Sequence, residues 1–63
     1  MASSNIRVFR SIYGDVCVIE ERADGTYECR IDYGRSGVDT CVLGSFEAAR
    51  RWMRREIYDW AEV

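Results

Sequence analysis

Apolar and polar residues alternate most cleanly between Thr26 and Tyr33, where Tyr27, Cys29, Ile31 and Tyr33 fall on one side and Glu28, Arg30 and Asp32 on the other. A period of two marks a β-strand with one covered and one open face. Ile6 to Tyr13, Val16 to Glu21 and Val38 to Leu43 are rich in β-branched and aromatic residues and read as three further strands. Gly14-Asp15, Ala23-Asp24-Gly25 and Gly34-Arg35-Ser36-Gly37 separate them with residues that favour turns. From Ser45 the period changes. Phe46, Ala49, Met53, Ile57 and Trp60 recur at steps of three and four, a helical stripe with Trp52 at its edge. Ser45 is placed to cap the first free amides, and Glu47 sits where the helix dipole favours a negative charge. Glu47 with Arg51 and Arg55 with Asp59 stand at ion-pair spacing on the outward side. The predicted fold is α+β: a four-stranded antiparallel sheet with one C-terminal amphipathic helix packed on one face, in the order ββββα, as a single domain over residues 1–63.

The length agrees with one economical core, because a chain this short buries only about 60% of the surface its unfolded form exposes. Of the 63 residues 48% are apolar and 32% charged, with no proline, which is the balance of a folded globule rather than a disordered tail. A net charge of −2 gives no bulk attraction to nucleic acid or an anionic membrane. The apolar runs are too short to span a bilayer, and Met1 to Asn5 lacks the basic and hydrophobic character of a leader. A cytoplasmic protein without a membrane partner is expected.

Cys17, Cys29 and Cys41 are evenly spaced, but three thiols on three strands, without a Cys-x-x-Cys knuckle or histidine, do not make a structural zinc site. The spacing reflects strand length, with thiols acting as small hydrophobes; no metal or cofactor is expected. With neither histidine nor lysine in the chain, only carboxylates could act as acid or base, and a small sheet offers little concavity to tune them. No catalytic residue is assigned and no enzyme is expected.

Arg50, Arg51, Arg54 and Arg55 form a cluster on the helix that could clamp phosphates. The order of strands and helix, with Leu-Gly-Ser-Phe leading into the helix, is similar to the small DNA-reading sheets of AP2-type and integrase arm-type domains. Those families read DNA with the sheet, and here the strands and turns carry Asp15, Glu20, Glu21, Asp24, Glu28, Asp32 and Asp39 against Arg22, Arg30 and Arg35. Phosphate repulsion opposes docking by that face, so a small nucleic-acid-binding regulator using the helix arginines is the alternative reading. The leading one is protein binding by the uncovered sheet face, with Phe9, Glu28, Arg30 and Asp32 as candidate contacts. A monomer or homodimer is compatible with either.

Val16-Cys17-Val18 running toward Gly25, the alternation from Tyr27 to Asp32, the glycine turn from Gly34 to Gly37, and Ser45 to Trp52 leading into the helix together resemble a known family. It is that of small phage-encoded anti-CRISPR proteins inhibiting type I Cascade complexes, in particular the kind with a four-stranded antiparallel sheet packed on helices. Arg7 to Ser11 resembles its first strand. The resemblance implies binding to a Cas subunit, the Cas7 backbone of the RNA-guided complex, and a block on pairing with target DNA in the host cytoplasm. By position, the family's acidic contact falls on Asp32 and an aromatic one on Phe9. The place of a second family tyrosine is taken by Arg22 or Glu20, and the loop after the first strand is shorter here. Imitation of DNA by the acidic strands is a variant of the same reading.

Overall fold

The computed structural model describes residues 5–63; of the segment read for a leader, residues 1–4 lie outside the described part. Four strands form as their composition predicts: β1 (Ile6–Ser11), β2 (Val16–Glu21), β3 (Tyr27–Asp32) and β4 (Val38–Leu43), each antiparallel to the next. Helix α1 (Phe46–Met53) follows, and the chain then returns as a fifth strand, β5 (Trp60–Glu62), antiparallel to β1. The sheet order is β4-β3-β2-β1-β5.

The fifth strand corrects the expected ββββα order. The helical stripe continues in sequence through Ile57 and Trp60, but the helix stops at Met53, where the Arg54 amide reaches back to the carbonyls of Arg50 and Arg51. Trp60 keeps its inward position as a strand residue, packed against the core, with its indole N–H donating to the Ile57 carbonyl at 2.7 Å. What a longer helix would leave undone explains the change. The outer edge of β1 would stay unpaired, and pairing it recovers backbone hydrogen bonds. Arg7 locks the closure by donating to Glu62 through Nε and Nη2 at 2.8 and 2.6 Å while its guanidinium lies over the Phe46 ring, 4.4 Å from the centroid. The expected Arg55–Asp59 pair is accordingly absent, and Arg55 binds Asp39 on β4 instead.

β1 ends at Ser11, two residues before the expected end, because its hydroxyl oxygen accepts from the amides of Tyr13 and Asp15, both at 3.1 Å. That bends the chain and leaves Ile12 and Tyr13 exposed. At the next turn, the Asp24 carboxylate accepts from both the amide and the hydroxyl of Thr26, and Gly25 takes a φ of 89° that a side chain would resist. The Gly34 to Gly37 turn contains a single 3₁₀ turn, Gly34–Ser36. Ser45 caps α1 as its sequence position implies, its hydroxyl accepting from Ala48 N–H at 3.1 Å.

The core lies between α1 and one face of the sheet. Phe9, Cys17, Ile19, Cys29, Ile31, Ala49 and Met53 are each at most 6% exposed. Tyr27, Tyr33, Leu43, Phe46, Trp52 and Trp60 ring them. Among the described residues no helix is long and apolar enough to cross a membrane.

Candidate docking face

Alternation sends every second residue of these strands away from α1, and the strand register assembles them into three rows. Val8, Val18, Arg30 and Thr40 stand side by side across β1, β2, β3 and β4. Ile6, Glu20, Glu28 and Val42 form a second row, and Ala61, Arg10, Val16, Asp32 and Val38 a third that begins on β5. Among the described residues no helix covers this side. Val16, Val18, Glu20, Glu28, Arg30 and Asp32 line a shallow depression of about 400 Å³ at its centre.

Three of the four proposed contacts are brought together there. Glu28, Arg30 and Asp32 are all exposed and follow one another on β3. A strand rises about 6.7 Å over two residues, so the Cα of Arg30 stands roughly that far from those of Glu28 and Asp32. Phe9 is the exception and a correction: it is 6% exposed and sits in the core beneath α1, opposite Cys17 in the register. Its parity on β1 is that of Arg7 and Ser11, which also face the helix side, so the open face lacks the aromatic contact that the resemblance implies.

The depression has an apolar floor that alternation on β3 alone does not reveal. Val16 and Val18 are only half-buried, and Ile6, Val38 and Val42 on the same side are 55%, 51% and 51% exposed. A signal for the floor does exist in the sequence. Val16-Cys17-Val18-Ile19 is apolar without interruption, the pattern of a strand that expects cover on both faces.

The charges above this floor have no partners of their own. Among the described residues, none of Arg10, Glu20, Glu28, Arg30 and Asp32 has an oppositely charged group within 4.0 Å. Glu20 and Glu28 are direct cross-strand neighbours, an arrangement of like charges that costs stability. One oxygen of Asp32 accepts from Gly34 N–H at 2.8 Å and so supports the next turn.

The helix arginines present a different picture. Arg51 reaches Glu47 at 3.9 Å, Arg55 pairs with Asp39 and lies over Trp52, and Arg54 lies over the Tyr58 ring at 4.3 Å. Arg51 and Arg55 thus carry their own counter-charges, which weakens the cluster as a phosphate clamp. The thiols lie on the opposite side of the sheet from the depression. Burial pushes Cys17 up to about 12 and Cys29 up to about 11, so neither is a nucleophile near neutrality. Cys41, opposite Cys29 in the register, is half-buried on the outer strand. Among the described residues no group of three or more cysteine or carboxylate side chains is arranged to hold a metal ion.

Comparison with protein-family models, with curated proteins and with solved structures finds no match to the chain.

Proposed function

We propose that this chain is a non-enzymatic protein-binding inhibitor that docks through the open face of its sheet. The observation that carries the reading is the valine-floored depression lined by Glu20, Glu28, Arg30 and Asp32, none of which forms a salt bridge among the described residues. Such charges are already arranged to meet a partner's, and apolar ground between them supplies the area whose burial drives association. A protein surface suits this mixture better than nucleic acid does, because Glu20, Glu28 and Asp32 outnumber Arg10 and Arg30 on the face.

The specific form of the proposal is anti-CRISPR activity in the cytoplasm of a phage-infected cell, through a Cas subunit of a type I Cascade complex. The resemblance of Val16 to Met53 supports it, with Asp32 as the acidic contact. Purified Cascade should retain the chain in a pull-down and lose target-DNA binding when the chain is in excess. Arg30→Glu should weaken that association by repulsion, and Asp32→Asn should weaken it while keeping the acceptor for Gly34 N–H. Absence of association removes the Cascade reading, whereas full binding by both variants moves the interface off this face. Salt-sensitive DNA binding that is lost in the double variant Arg51→Glu, Arg54→Glu would replace the reading with the nucleic-acid one.

A further inference from the structure

We infer that the open face is complementary to itself, and that a second copy of this chain covers it in solution as a two-fold dimer. The partner is identified by the pattern of rows. In a face-to-face pair related by a two-fold axis lying in the interface, every residue meets the one reflected across that axis. An axis running along β3 would set Arg30 on Arg30. One parallel to it between β2 and β3 would set Glu20 on Glu28. Both are excluded by like-charge repulsion.

An axis that crosses the strands between the Arg30 row and the Asp32 row gives a different result. On β3 it sets Arg30 of each copy opposite Asp32 of the other, twice by symmetry; on β2 it sets Val18 opposite Val16. On β1 Val8 meets Arg10, whose aliphatic stem can lie on it, and on β4 Thr40 meets Val38. Moving the axis one row along, between Arg30 and Glu28, still pairs those two charges but presses Glu20 onto Val18. Of these placements, the one between the Arg30 and Asp32 rows joins opposite charges on β3 with apolar surfaces on β2. Sheets packed face to face cross at about 30°, which keeps the match best at β2 and β3, where the depression lies. Both groups of the central pair are exposed and have no salt bridge among the described residues.

The dimer stands independently of the Cascade reading, although it uses the same face; an external partner would have to displace the second copy. A charge exchange tests it on the whole chain, without any other component. Sedimentation of the wild type over a dilution series should show a monomer–dimer equilibrium. Arg30→Asp alone and Asp32→Arg alone should each weaken self-association by about tenfold or more, as expected for like charges brought together at an interface. An equimolar mixture of the two variants should then dimerise again, because the paired carboxylates of the first variant face the paired guanidinium groups of the second across the axis. Asp32→Asn, which keeps the acceptor for Gly34 N–H, should also weaken the dimer, and circular dichroism checks that each variant is folded. A wild type that is monomeric throughout the series overturns the inference. So does a mixture that associates no better than its separate components, or an Asp32→Asn chain that dimerises as the wild type does. A failed Cascade pull-down leaves the inference standing, and a monomeric wild type leaves the pull-down reading standing.

Discussion

The same four strands β1 to β4 build two faces of opposite character. Toward α1, Phe9, Cys17, Ile19, Cys29 and Ile31 are almost wholly removed from water, and two ion pairs stand at the rim, Arg7 with Glu62 and Arg55 with Asp39. Away from α1, valines remain half-open and the charged groups form no salt bridge among the described residues. Neighbouring residues on one strand therefore serve different ends. Ile31 holds the fold, while Arg30 and Asp32 on either side of it stand exposed, and the proposed docking would use them. In so small a protein, stabilising the closed face alone leaves the other free to carry charge patterns that would be costly in a core.

Truncating Ile31 and Arg30 in turn separates the two faces most visibly. Ile31→Ala should cost about 2–5 kcal/mol, a large share of what a domain this size possesses, and urea unfolding should show it as a sharply lowered midpoint or outright loss of folding. Ser45→Ala, which removes the cap from the helix that makes the closed face, should cost about 1 kcal/mol by the same measurement. Arg30→Ala should lie within about 0.5 kcal/mol of the wild type, since that side chain is exposed and forms no salt bridge among the described residues.

Titration probes the contrast from two directions. The Glu62 carboxyl is held below its ordinary value of 4.5 by the hydrogen bonds from Arg7. Its contribution to the fold is therefore present above that ordinary value and lost as pH falls through the lowered one. Acidification should accordingly loosen β5 before the centre of the sheet, seen as a loss of exchange protection, relative to the intrinsic rate at each pH, at the Val63 amide, which bonds the Val8 carbonyl at 2.9 Å. The buried thiols act in the opposite sense. Because burial raises Cys17 and Cys29 from 9.0 to about 12 and about 11, their contribution is complete below 9 and is lost as pH climbs toward the raised values. A thiol reagent at neutral pH should modify Cys41 first, and the other two only as the chain unfolds.

Much of this is readable from the residues. Strict alternation from Tyr27 to Tyr33 marks β3 and its exposed charges, and the Ser45 cap marks the start of α1, because both signals are local. The end of α1 is not local. Ile57 and Trp60 keep helical spacing, yet the unpaired edge of β1 and the Arg7–Glu62 pair draw the segment into a strand, a choice made between residues more than fifty positions apart. Phe9 escapes the sequence for a related reason: its strand alternates weakly, and only the register that sets it against Cys17 decides which way it faces. The site is legible as charges on β3, whereas its floor requires knowing that Val16 and Val18 stand beside them.

Association on the open face would leave a residue-resolved footprint by NMR. Shifts followed as the labelled chain is concentrated, and again as purified Cascade is added, should change at Val16, Val18, Arg30 and Asp32 while Ile19, Ile31 and Met53 stay fixed. Changes confined to Arg50, Arg51 and Arg54, with the depression silent in both series, would contradict it.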